Sequence, residues 1–202
     1  MPKQNHASLL LLFISFVAFS TATANAGVGT SKTAVNFIQA SCKATTYPAQ
    51  CVRSLSVYAN AIQTSPQRLA ETALTLSLNR ALSTKTFVSR LTRFKGIKPR
   101  QYQAIKDCVE EIGDTVDRLT KSVQEFKLCN RARGGNSFWY HMSNVQTWTS
   151  AALTDETTCS DGFAGRVMDG RIKSSVRAQI VNMGRETSNA LALINHFASK
   201  KH

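Results

Sequence analysis

The sequence has little that would build a sheet and almost nothing that would build an active site. Only four prolines interrupt 202 residues, and no run of useful length alternates apolar and polar residues as a half-buried strand does. Histidine is scarce, and neither His141 nor His196 in the body of the chain has a partner at motif spacing. No H-E-x-x-H, paired C-x-x-C, G-x-S-x-G or glycine-rich phosphate loop occurs, so zinc, thiol-redox, serine-hydrolase and nucleotide chemistry lose their usual carriers. Gly134-Gly135 follows no strand and makes no phosphate cradle. An enzyme is not expected, nor a cofactor or a metal site. Long apolar runs are also missing: Leu9 to Phe19 is too short for a bilayer span, which needs about 20 residues.

That short run has another meaning. Lys3 precedes it and Ala24-Asn25-Ala26 follows it, the pattern of a cleaved export signal. Residues 1–26 are therefore set aside as a signal peptide, leaving 27–202 as the mature domain with no membrane anchor. Export leads to an oxidising compartment, so Cys42, Cys51, Cys108, Cys129 and Cys159 are disulfide candidates. An odd number leaves one unpaired, and the count alone fixes no pairing. Losing Lys3 lowers the formal charge from +13 to +12. Such a field attracts polyanions in general, among them acidic wall polysaccharide. Basic residues are scattered without an interleaved aromatic platform, so nucleic acid is not an expected partner.

What is present is helical period. Ile105, Val109, Ile112, Val116, Leu119, Val123 and Phe126 repeat in steps of four and three after Pro99, and Ile172, Val176, Ile180, Met183, Thr187, Ala190, Ile194 and Phe197 do the same near the end. Pro66 opens another long helix, whose apolar side is expected to be Leu69, Ala73, Leu76, Leu82, Phe87, Leu91 and Phe94. A fourth helix is expected from about Ser137 to Leu153, with Asp161-Gly162 and Gly165 breaking the chain before the last. Four long helices on short connections run antiparallel, giving an up-down-up-down bundle over 66–200. Ahead of it, residues 27–62 hold two short helical segments around Thr46-Tyr47-Pro48, a helical hairpin that a Cys42–Cys51 bond would pin. The fold class is all-α.

Three features invite a functional reading. Cys129 reads either as a reactive thiol or as an idle buried one. Phe138, Trp139, Met142 and Trp148 resemble a stacking cluster, but their spacing favours the core face of the fourth helix. The sharpest is acidic. No Asp or Glu precedes Glu71, yet Asp107, Glu110, Glu111, Asp114 and Asp117 crowd into eleven residues. Glu110, Asp114 and Asp117 stand at i, i+4 and i+7 and share one face beside the apolar stripe, where like charges repel weakly. Two readings stay open, a solvated face and a docking surface for a basic partner.

Several strings resemble one family. Val145-Gln146-Thr147-Trp148-Thr149-Ser150-Ala151-Ala152-Leu153-Thr154-Asp155-Glu156-Thr157-Thr158-Cys159-Ser160-Asp161-Gly162-Phe163 is similar to the signature around the fourth conserved cysteine of the plant invertase and pectin methylesterase inhibitors. Asp107-Cys108-Val109-Glu110 with Asp114-Thr115-Val116-Asp117-Arg118-Leu119 resembles the segment around the third, and Cys42 with Tyr47-Pro48-Ala49-Gln50-Cys51 resembles the first pair. The resemblance implies a disulfide-stapled hairpin and four-helix bundle, with Cys42 joined to Cys51, Cys108 to Cys159, and Cys129 left as a free thiol. It implies a secreted, apoplastic, non-enzymatic inhibitor that covers the cleft of pectin methylesterase one-to-one, with Glu110, Asp114, Asp117, Thr158 and Asp161 near the partner. Invertase is the alternative target. The Pro-Lys-Phe element of the invertase inhibitors is absent where Gly135-Asn136-Ser137-Phe138 stands, which favours pectin methylesterase. An alternative of another class is a non-inhibitory wall protein held to pectin by charge.

Overall fold

The computed structural model describes residues 25–132, 135–165 and 170–201, with side chains from residue 32 onward. The expected signal segment therefore lies almost wholly outside the described residues. Helix α1 spans Asn25–Cys42, α2 Pro48–Leu55 and α3 Ala59–Ile62, the last two joined by a 3-10 turn at Ser56–Tyr58. Four long helices follow: α4 Pro66–Leu91, α5 Pro99–Arg131, α6 Gly135–Gly162 and α7 Arg171–Ser199. Pro48, Pro66 and Pro99 each occupy a first helical turn, where the missing N–H has no intrahelical partner to lose. Ser65 caps α4 by accepting from the Arg68 N–H at 3.3 Å.

The long helices pack as a ring, α4 on α5, α5 on α6, α6 on α7 and α7 on α4. Apolar side chains close its centre, with Phe126, Ile105, Ile112, Leu119, Met142, Met183 and Ile194 fully buried. The register of α5 against α6 is antiparallel and regular. Cys108 meets Cys159, Ser122 Oγ donates to the Val145 carbonyl at 3.0 Å, and Cys129 Sγ faces the Phe138 carbonyl at 3.8 Å. In each of these pairs the residue numbers sum to 267.

Two sequence expectations need correction. The α6 helix does not stop near Leu153 but runs nine residues further, to Gly162. Its apolar period fails there because two of the inward positions carry acids, Asp155 and Glu156, both buried. Thr157 and Thr158 return their hydroxyls to the Leu153 and Thr154 carbonyls at 2.9 and 3.0 Å, so the helix continues through a polar stretch. It ends where Phe163, fully buried, anchors the chain after Gly162. The inner face of α4 is only partly the one expected: Leu69, Ala73 and Leu91 are buried and Leu76 and Phe87 pack against the core. Leu82 and Phe94 are 45% and 61% exposed, while Ala73, Ser77, Ala81, Thr84 and Val88 face inward. Small and hydroxylated side chains let α4 approach its neighbours closely, and Ser77 Oγ lies 2.7 Å from Thr187 Oγ1 on α7.

The hairpin is fastened to the bundle by polar contacts as well as by apolar burial. Asn189, buried in α7, accepts from the Tyr47 N–H at 3.0 Å and donates to the Tyr47 carbonyl at 3.1 Å. Glu186 Oε1, one turn earlier, accepts from Gln50 Nε2 at 2.9 Å and Ser54 Oγ at 2.6 Å. Buried polar groups so satisfied fix one seating of the hairpin, since any other would strand them without partners.

Candidate partner-docking face

Cys42 and Cys51 form a disulfide across a separation of nine residues, and Cys108 and Cys159 form one across 51. The second joins α5 to α6 with the Cα atoms 4.4 Å apart. Loop closure of that length removes about 4 kcal/mol of unfolded-chain freedom, against about 3 kcal/mol for the short hairpin loop. Around this bond the outer surface of the bundle is acidic. Glu110, Asp114 and Asp117 all lie exposed on the outward face of α5. Thr158 and Asp161, on either side of Cys159, are exposed on α6. With the α5–α6 register fixed, Asp161 is level with residue 106 of α5 and Asp117 with residue 150 of α6. The patch therefore extends about 17 Å along the seam, at about 1.5 Å per residue.

Beneath it lies an ion pair that the sequence did not reveal. Arg118 Nε on α5 meets Asp155 Oδ2 on α6 at 2.6 Å, with the Asp155 side chain almost wholly buried. These two buried atoms have no other polar partner. Burial raises the Asp155 carboxyl above its ordinary value although Arg118 opposes the shift, and Asp114 adds to it. Glu111 moves the same way, first through burial and then through Asp155, Asp114 and Glu110. The row thus holds more negative charge than one guanidinium neutralises, and that surplus faces outward. Such a face attracts a cationic surface and repels an anionic one. The signal in the sequence was Arg118 itself, four residues beyond Asp114, but its partner on another helix could not be read from spacing.

Glu156 turns the other way, toward α7. Its Oε1 lies 2.7 Å from Thr187 Oγ1, and its Oε2 has no hydrogen-bond partner. A Cβ at Gly184 would sit 3.3 Å from that oxygen, so a glycine lets α7 pass the carboxyl. Burial, partly offset by Thr187, pushes its pKa from 4.5 up to about 8. Between those values the folded chain keeps a proton that the unfolded chain has lost. Stability is then full below about 4.5 and declines as pH rises toward about 8, at a rate on the order of 1 kcal/mol per pH unit. Asp155 and Glu111, also raised, act with the same sign. Glu156→Gln is expected to unfold at the same temperature as the native chain in acid and at a higher one in mild alkali. Thermal melts across the range check this, and a native midpoint that rises with pH would contradict it.

Cys129 is buried and unpaired. Burial, with Glu125 nearby, pushes its thiol up to about 11, so almost no thiolate exists at neutral pH. A maleimide should label no site on the native chain and one site after unfolding under non-reducing conditions. Labelling of the native protein would show an accessible thiol instead. Glu125 itself is held by His141 Nδ1 at 2.7 Å. Of the aromatic group, Met142 is fully buried and Phe138 and Trp139 pack against the core. Lys121 Nζ stands 4.8 Å over the Trp148 ring. Among the described residues no three His, Cys, Asp or Glu side chains gather to hold a metal, and no helix is long and apolar enough to cross a membrane.

Comparison with known proteins agrees with this architecture. The model of the family "Plant invertase/pectin methylesterase inhibitor" matches residues 36–193. The chain is 65% identical to "Pectinesterase inhibitor 11" of Arabidopsis thaliana, over 99% of this chain and 100% of that one. It is 55% identical to the "21 kDa protein" of Daucus carota, over 93% and 97% of the two chains. Among solved structures, a mutant form of a pectin methylesterase inhibitor from Arabidopsis superposes with a TM-score of 0.62 at 23% identity, covering 76% of this chain and 92% of that one. At that identity the likeness speaks for the fold.

Proposed function

Because the chain belongs to the plant invertase/pectin methylesterase inhibitor family, we propose that it is a secreted inhibitor of pectin methylesterase, exported by residues 1–26 and acting in the cell wall. The observation that carries the reading is the exposed row of Glu110, Asp114 and Asp117, stapled by Cys108–Cys159 to the Thr158–Asp161 segment. The protein supplies no chemistry. It binds one-to-one through the outer surface of α5 and α6 and covers the substrate cleft, so pectin is kept out while the enzyme's own groups stay unchanged. A helical surface of this length suits an interface of standard size, about 800 Å² on each partner.

Rigidity supports this role. Two long helices joined by a disulfide and an internal ion pair lose little freedom on binding, which leaves more of the contact energy for affinity. Titration of pectin demethylesterification with the mature protein should reach an end point near one inhibitor per enzyme. Complete lack of inhibition across plant pectin methylesterases, from mildly acidic to neutral pH, would refute the reading, and inhibition of invertase alone would redirect it. A contact led by exposed carboxylates should also weaken as salt rises, because screening sets in beyond about 10 Å at 0.1 M. An inhibition constant indifferent to salt would speak for an apolar contact in its place.

A further inference from the structure

The basic charge is not spread evenly. Residues 27–106 hold twelve Lys and Arg against the single acid Glu71, whereas residues 107–202 hold twelve against eleven. Nearly all the surplus therefore sits on the hairpin, α4 and the connection from α4 into the start of α5, with seven of the twelve bases on the hairpin and α4. There the surface is concave. A chamber of about 350 Å³ between α2 and α4 is walled by Arg53 and Arg80, with Tyr58, Leu76 and Asn79 at one end. Those three also open a second chamber of about 350 Å³ that carries Arg68. Arg53 opens a third, of about 380 Å³, that carries Tyr47 and Arg185. Through these shared residues the chambers form one groove, and α5 lines none of them.

The four arginines are exposed. Among the described residues none of them meets a carboxylate within 4 Å: Arg68 donates to Gln63 Oε1 at 3.0 Å, and the Arg185 guanidinium stands 5.3 Å over the Tyr47 ring. The acids of the groove are Glu186 and Glu71. Glu186 is buried, its carboxylate occupied by Gln50 and Ser54. Tyr47 and Tyr58 are 38% and 41% exposed on its rim, offering flat apolar faces with a polar tip.

We propose that this groove binds a linear acidic polysaccharide, a polyuronate with free carboxylates. Arg68 and Arg80 stand twelve residues apart on α4, about 18 Å, so the groove is several pyranose units long. Separate guanidinium groups suit one carboxylate per sugar, each able to accept two parallel N–H bonds. Hydroxyl and amide groups of Ser54, Ser83 and Asn79 suit a polyhydroxylated chain. The concave shape does not suit a flat bilayer, and the lone tyrosines do not make the stacking platform of a single-stranded nucleic acid site. With the acidic row on α5, the molecule would have one face for a protein and another for the polymer that de-esterification exposes. The binding does not depend on inhibition.

The test is the affinity of the mature chain for a labelled oligogalacturonate, measured by fluorescence anisotropy. Arg53→Gln with Arg80→Gln should weaken it about tenfold, while Lys127→Gln with Lys200→Gln, an equal loss of charge elsewhere, should change it less than about twofold. Equal losses in the two pairs would leave only a diffuse field and overturn the site. Equal affinity for the fully methyl-esterified oligomer would overturn the carboxylate as the recognised group. Tighter binding to anionic vesicles or to an RNA oligonucleotide of the same charge would overturn the choice of ligand. Unchanged helicity and unfolding temperature of the arginine pair establish that any loss is local.

Discussion

Asp114→Lys together with Asp117→Lys is expected to raise the inhibition constant for pectin methylesterase by about a hundredfold or more, since like charges brought together at an interface cost several kcal/mol. Both side chains are exposed, and neither takes part in the Arg118–Asp155 pair or the buried hydroxyl contacts. The double variant should therefore keep its helicity and its melting temperature. Most of the effect should fall on association as well as dissociation, because a reversed patch steers the partner away. Substituting Glu71, on α4 and away from this face, serves as the control and should leave inhibition unaltered.

Removing the α5–α6 staple is expected to be the largest change in stability. Cys108→Ala with Cys159→Ala frees a loop closed across 51 residues, about 4 kcal/mol, which for a domain of this size corresponds to a fall of roughly 8–16 °C in the unfolding midpoint. Inhibition should weaken further than the loss of folded protein explains, because the row on α5 and the Thr158–Asp161 segment would no longer be held in one register. Removing Cys42–Cys51 should cost about 3 kcal/mol and leave the inhibition constant of the folded fraction unchanged. Calorimetry and activity titration at a temperature where all variants are folded separate the two effects. Equal consequences for inhibition from either disulfide would detach the staple from binding.

The final helix could be read from its sequence almost residue by residue, because Val176, Ile180, Met183, Ala190, Ile194 and Phe197 are both apolar and buried. The same rule misled at α4 and α6, where inward positions are held by Ser77, Thr84, Asp155 and Glu156. Three of them find partners on other helices, Thr187 for Ser77 and for Glu156 and Arg118 for Asp155, as buried polar groups usually must. Spacing within one helix carries no trace of them. The acidic row was visible because its members share a helix. Its depth was not, since Asp155 on α6 meets Arg118 and Glu111 only when α5 and α6 come together. Likewise the seating of the hairpin rests on Tyr47 and Gln50 meeting Asn189 and Glu186 of α7, more than 130 residues further along the chain. The cationic groove needed both the charge count and that seating, since Arg53 and Arg80 meet only across the hairpin junction.

Carboxyl footprinting of the complex with pectin methylesterase tests the account most directly. Carbodiimide labelling of Glu110, Asp114 and Asp117 should be suppressed in the complex, with Asp161 protected alongside them and Glu71 labelled as in the free protein. Protection at Glu71, with the three α5 carboxylates still reactive, would contradict it and move the docking surface to the side of the bundle that carries α4.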